Sequence, residues 1–250
     1  MTTVAVLADP PAETDALSEL VSADVLSEAA ATELYTATLR DACAAVEASG
    51  GELLVNYRAV GGDEDAAEDA VRSAVSPALS DAGSARYEVQ VGSTPSARVG
   101  NTVTHLLERE GVSSAAVLDP TVALIERRHV DSAAMKLRGS EVVLGPTPGG
   151  AVWYAAFTGP VDFTDALEPP SMRTLTARAT DEGFGVDLLE SLALVGTPDG
   201  LASAVVLALT RRDAGLPVPE HTREAVADLG LGVEATDEGL TVTGGDTDRS

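Results

Sequence analysis

The chain has 250 residues, enough for one α/β domain or two small ones with a full core. Its 40 acidic and 16 basic residues leave a net charge of −24, which excludes a nucleic-acid grip built on clustered Lys and Arg and equally a footing on an anionic membrane. A lone cysteine, Cys43, excludes a disulfide framework and any multi-cysteine metal site, and in its Ala-rich setting it reads as a small buried hydrophobe.

The carboxylates are dispersed, the densest run lying between Asp63 and Asp69, and Lys136 is the only lysine. This pattern predicts a surface adapted to high salt, where dense charge stays hydrated and its self-repulsion is screened. The first residues carry no basic leader and no apolar run approaches ~20 residues, so a cytoplasmic protein without membrane association is expected.

In chain order, residues 4–8 form an apolar run ended by Asp9-Pro10-Pro11 and read as a first buried strand. Residues 9–24 are polar and acidic. Ser27 is set to cap a helix over 28–48, with Leu34, Leu39, Ala42 and Val46 at helical spacing and Gly50-Gly51 as its stop. A strand over 53–57, a helix over 65–79, a strand over 87–91 and a helix ending near Glu110 follow. Residues 115–118 predict a fourth strand, ended by Asp119-Pro120, and 122–137 a further helix stopped by Gly139. The alternation predicts a mostly parallel, Rossmann-like α/β sheet with helices on both faces.

Residues 141–157 are the centre of this pattern. The apolar run Val142 to Leu144 reads as a strand buried on both faces. Two prolines and three glycines between Gly145 and Gly150 force a turn with exposed backbone, and an apolar segment with the only tryptophan, Trp153, leaves it. Such a loop either brings a ligand against the backbone of Gly145, Pro146, Gly149 and Gly150 or simply connects two strands tightly. Trp153 and Tyr154 are expected in the core rather than stacked on a base. Further on, a helix over 171–182, a short strand over 186–189, a helix over 198–212 with Thr197 as cap and Pro198 at its first position, a helix over 220–228 and a hairpin around Asp237-Glu238-Gly239 complete the prediction. The simplest division is a domain over 1–212 with a C-terminal α+β extension over 213–250.

Several of these segments resemble a family. Val142-Val143-Leu144-Gly145-Pro146 with Gly149-Gly150, the segment Leu26-Ser27 through Leu34-Tyr35, and Val195-Gly196-Thr197-Pro198-Asp199-Gly200-Leu201 are similar, in collinear order, to motifs of a small glycosyltransferase-A-like family of selenium-domain-associated transferases. The resemblance spans about residues 3–212. It implies a nucleotide-diphosphosugar-transferase fold, a nucleotide or nucleotide-sugar partner, and Mg or Mn as cofactor if the chain is active. It also implies that Asp119, in Val117-Leu118-Asp119-Pro120, matches the family's acid after its fourth strand and is the candidate metal ligand. The competing reading of Asp119 is an Asx turn or helix cap.

The departures from the family are chemical. The family's basic K-T-R-L segment is here Leu17-Ser18-Glu19-Leu20, its D-G-G acid falls on Pro148 or Gly149, its D-V-D acids fall on Leu194 and Gly196, and its arginine in G-D-L-G-x-R-M falls on Thr102. These losses predict a divergent transferase-like protein with much of its chemistry gone. Two alternatives stand beside it: an active nucleotidyltransferase similar to phospholactate guanylyltransferases, and a non-catalytic homo-oligomer. Arg98 with Arg58 or Arg40 is the candidate substitute phosphate clamp. His105, His129 and His221 lack metal-ligand spacing, and Gly-x-Ser-x-Gly and Gly-Lys-Ser/Thr motifs are absent.

Overall fold

The computed structural model describes residues 1–83, 85–237 and 239–245. The strands are β1 (Thr2–Ala8), β2 (Glu52–Tyr57), β3 (Arg86–Val89), β4 (Ser114–Leu118), β5 (Val142–Pro146), β6 (Val152–Phe157) and β7 (Val186–Leu188). They form one sheet in the order β3-β2-β1-β4-β6-β5-β7. β6 runs antiparallel to both neighbours and all other pairings are parallel, which is the mostly parallel sheet expected.

The strand order reverses between β1 and β4. The chain winds outward through β2 and β3 on one side and through β6, β5 and β7 on the other. In open α/β sheets the crevice beyond the carboxyl ends of the strands at such a switch point is where ligands bind. Asp9 directly follows β1 and Asp119 directly follows β4.

The helices are α1 (Ser18–Ser22), α2 (Glu28–Glu47), α3 (Glu64–Val75), α4 (Pro95–Thr104), α5 (Arg127–Lys136), α6 (Ser171–Asp181), α7 (Pro198–Asp213) and α8 (Glu220–Asp228). Ser27, Asp63, Thr94 and Thr197 cap α2, α3, α4 and α7 by accepting from a backbone N–H three residues on. Two apolar clusters cover the two faces of the sheet. One gathers Val4, Val6, Leu34, Leu39, Val71, Val130 and Leu201; the other gathers Leu54, Val99, Val103, Leu144, Phe157 and Leu175. Cys43 lies in the first, fully buried.

The C-terminal segment closes on the first cluster. α8 packs on α2, and the hairpin of β8 (Gly232–Thr236) and β9 (Gly239–Thr243) packs on α7. Asp41, a buried residue in the middle of α2, accepts from the backbone N–H groups of His221 (3.1 Å) and Thr222 (2.7 Å) in the first turn of α8. It thus satisfies helix-end donors that α8 leaves open, since Pro219 at its cap position makes no side-chain cap bond. Glu238 of the expected hairpin turn lies outside the described residues.

Two predicted boundaries move, and one helix forms where none was expected. The helix expected from residue 122 starts only at Arg127, because residues 121–123 are pinned beside 193–195: Ala123 N–H donates to the Ala193 carbonyl (2.8 Å) and Val195 N–H to the Thr121 carbonyl (2.9 Å). The helix ending near Glu110 is α4 followed by a π-helical turn over His105–Arg109. Finally, the polar segment after β1 holds the short α1, seated by the buried Leu20 within it and the buried Leu17 just before it.

Candidate functional site

A cavity of about 370 Å³ opens at the switch point. Asp9 and Asp119 border it from the ends of β1 and β4, Arg98 and Val99 from the first turns of α4, Tyr35 from α2, and Leu194 and Gly196 from the segment leading into α7.

The Asp119 carboxylate is held on one side only. Oδ1 accepts from Thr121 N–H (2.8 Å) and Thr121 Oγ1 (2.7 Å), forming an Asx turn, and Asp119 N–H donates to the Trp153 carbonyl (3.0 Å). Oδ2 receives no hydrogen bond from the described residues. Burial pushes the Asp119 carboxyl above the usual carboxylate range, the two Thr121 bonds pull it back, and the charge of Asp9 adds to the push. A cation against Oδ2 would relieve both burial and repulsion. The turn and the metal-ligand readings of Asp119 therefore use different oxygens.

Asp9 is more heavily engaged. Arg58 Nε and Nη2 donate to its Oδ1 and Oδ2 at 2.8 and 2.9 Å, Thr14 Oγ1 donates to Oδ2, and Arg58 Nη2 reaches Asp15 at 3.0 Å. Buried Tyr35 fixes the backbone here, its hydroxyl accepting from Asp9 N–H at 2.7 Å. Arg98 is different: among the described residues its guanidinium has no hydrogen-bond or ion-pair partner, while burial and the neighbouring Arg58 charge both press against its ionised form. The charges of Asp9 and Asp15 offset part of that push without contacting the guanidinium, whose open donors suit an incoming anion. Of the three arginines named from sequence, Arg40 is elsewhere, donating to the Ala74 carbonyl at 2.7 Å.

Of the positions where acids and bases are lost by comparison with the resembling family, two border this cavity and the others lie elsewhere. Leu194 and Gly196 line it beside Asp119, so carboxylates there would face Asp119. Leu17, in place of a lysine, is buried in the core. Thr102 donates to the buried Asn56 Oδ1 at 2.9 Å and points to the interior.

The loop holding Gly145, Pro146, Gly149 and Gly150 lies on the same strand edge but outside the lining of the switch-point cavity. It is closed by its own bonds, Thr147 N–H to the Ala151 carbonyl (2.9 Å) and Gly150 N–H to the Thr147 carbonyl (3.1 Å). Gly145 serves packing: a Cβ there would lie 2.4 Å from Trp153 Cε2. Gly149 is exposed on the strand edge. Trp153 and Tyr154 are buried in the core, as expected.

Among solved structures, one from Desulfovibrio desulfuricans G20, provisionally described as a nucleotide-diphospho-sugar transferase, superposes with a TM-score of 0.74 over 92% of this chain and 95% of its own, at 14% identity. The fold is that of the nucleotide-diphospho-sugar transferases. The 4-diphosphocytidyl-2C-methyl-D-erythritol synthase of Anaerococcus prevotii DSM 20548 aligns at a TM-score of 0.51 over 83% of this chain and 99% of its own, at 11% identity. No family model matches the sequence, and no curated protein does. At such identities the likeness carries the architecture and leaves the chemistry to this chain's own side chains. No helix among the described residues is long and apolar enough to cross a membrane.

Proposed function

We propose that the switch-point cavity binds a nucleotide or nucleotide sugar, with Arg98 meeting its phosphates and Asp119 Oδ2 as the atom that would hold a divalent cation. The observation that carries this reading is the pairing, in one cavity, of an unpartnered cation with a carboxylate that has one free oxygen. Mg or Mn fits such a donor set, since these ions are commonly held by one or two carboxylates plus phosphate oxygens and water. The ion would supply charge neutralisation on the phosphates. A sugar or acceptor extending past β6 would meet the exposed backbone of Gly149 next to Gly145, Pro146 and Gly150.

The chemistry is that of a divergent glycosyl- or nucleotidyl-transferase. Its weakness follows from the same geometry: Asp9 is neutralised by Arg58, and Leu194 and Gly196 offer no carboxylate. Retained binding with reduced catalysis is therefore favoured over an active phospholactate guanylyltransferase-like enzyme. A homo-oligomer held through α2 is disfavoured, because α8 and the sheet cover that helix.

The test is a thermal-shift screen of nucleotides and nucleotide sugars, with and without magnesium or manganese, in molar potassium chloride. A ligand at ~100 times its Kd stabilises by ~2.7 kcal/mol, a shift of a few degrees for a chain of this size. The expected result is a metal-dependent shift that disappears in Asp119→Ala and is weakened in Asp119→Asn, which can keep the Thr121 turn. No shift with any nucleotide overturns the reading.

A further inference from the structure

A second cluster lies on the outer flank of the sheet, away from the switch point. Glu88 on β3, His105 at the start of the π-turn and Glu110 just after it bring one ligand atom each within 4.8 Å of one another. His105 Nε2 and Glu110 Oε1 are 3.4 Å apart. Two ligands on a tetrahedral zinc, with bonds of about 2.0–2.1 Å, sit about 3.4 Å apart. The pair is already at ligand spacing.

The π-turn produces this placement. Glu110 N–H donates to the His105 carbonyl five residues back, at 3.1 Å, and the widened turn swings the Glu110 carboxylate round to the imidazole. In this set the resident cation is Arg86, which pairs with Glu52 (3.1 Å), Glu110 (2.8 Å) and Glu88. Three carboxylates around one guanidinium leave two uncompensated negative charges. The hydrogen bonds and charge of Arg86 hold the Glu110 carboxyl below its ordinary range, against the opposing effect of burial, and His105 adds to the lowering.

We infer that Glu88, His105 and Glu110 form a site for a borderline divalent cation of the zinc, cobalt or nickel type. On binding, Arg86 releases Glu88 and Glu110 and keeps Glu52. One imidazole and two carboxylates suit these ions and discriminate against magnesium, which prefers an all-oxygen shell. Glu88 and His105 border a second cavity of about 430 Å³, and His105 is more than half exposed, so the ion has a path in and room for a water ligand. The ligands come from an edge strand and from the turn after α4, and a bound ion would tie the two together.

The experiment uses the full chain in molar potassium chloride. Cobalt is titrated and its visible d–d bands are followed, then displaced with zinc, all in excess magnesium to block diffuse carboxylate binding. One equivalent of cobalt with bands of low coordination number, displaced stoichiometrically by zinc, is expected. His105→Ala should weaken cobalt by at least about tenfold, the loss that disturbing even a metal's outer shell brings. Glu110→Gln should act in the same direction, and Asp119→Asn should leave the titration unchanged, which separates this site from the switch-point cavity. Absence of saturable binding at millimolar cobalt overturns the inference, as does binding that both His105→Ala and Glu110→Gln retain in full.

Discussion

Arg58 grips both carboxylate oxygens of Asp9, at 2.8 and 2.9 Å, and so neutralises the acid that follows β1 within the cavity that Asp119 also borders. Both side chains are mostly buried, with 25% and 17% of their surface exposed, so the pair is better shielded than a surface salt bridge. Replacing Arg58 with Met should cost about 1–2 kcal/mol by leaving a shielded carboxylate unpaired. The same change frees Asp9 to act with Asp119. Manganese should then bind more tightly than to the unaltered chain, measured by water-proton relaxation beside a chemical denaturation curve.

Arg98→Ala gives the opposite balance. Among the described residues the guanidinium has no partner to lose, so the melting temperature should hold or rise slightly. Nucleotide affinity should fall by about 10- to 100-fold, the equivalent of about 1.5–3 kcal/mol for a hydrogen bond to a charged group. Calorimetric titration with the best ligand of the screen reads both quantities on one sample.

Asp41 makes a second testable contact, between α2 and α8. Its two bonds to the His221 and Thr222 N–H groups are the tertiary equivalent of a helix cap. Asp41→Ala should destabilise by about 1–3 kcal/mol, by removing a cap and leaving two donors unmet. Hydrogen exchange should show the loss first at the start of α8, ahead of the sheet.

His129 should make stability depend on pH. Its Nδ1 accepts from Glu126 N–H at 2.9 Å, which requires an unprotonated Nδ1 and places the ring proton on Nε2, facing Glu190. Burial lowers the pKa of His129 although Glu190 opposes the shift. A folded pKa below the unfolded value of about 6.5 means that the contribution is complete above that value and is lost as pH falls through the folded pKa. Denaturant midpoints should therefore decline from about pH 6.5 downward, and His129→Gln should flatten that slope.

Gly145→Ala should be severely disruptive for a change of one methyl. The added carbon would lie 2.4 Å from Trp153 Cε2 in a filled core, and overpacking of this kind costs about 1–3 kcal/mol or more. Gly149→Ala, with only the Thr147 hydroxyl within 4.0 Å, should be close to neutral, and comparing the two melting curves separates packing from loop flexibility.

The strands were the legible part of the sequence because burial on both faces leaves uninterrupted apolar runs: β1, β4 and β5 fall within two residues of their expected limits. α8 matches its expected span, since proline and glycine bracket it. Residues 122–125 read as helix because their apolar spacing fits one, but tertiary pairing with 193–195 overrides a local pattern. Asp119 came to notice because the resemblance matches it to the family's acid after the fourth strand, and Asp119-Pro120 marks the end of that strand. The loss of Arg40 from the candidate clamp could not be read, because chain distance says nothing about which of three arginines shares a cavity. The grouping of Glu88, His105 and Glu110 was hidden as well: it depends on a π-turn, whose extra residue has no signature in composition or period.

Trp153 draws several of these threads together. It is fully buried, its indole Nε1 donates to the Glu190 carbonyl, its ring meets His129 edge-on at 6.0 Å, and its carbonyl accepts from Asp119 N–H. As the only tryptophan, it makes the intrinsic fluorescence of the chain a one-site signal. Emission should be blue-shifted in the native state and should redden only when β5 and β6 separate. Quenching by a protonated His129 would register acid titration without a label, and a spectral change on ligand addition would mean that Asp119 had moved the backbone it shares with the fluorophore.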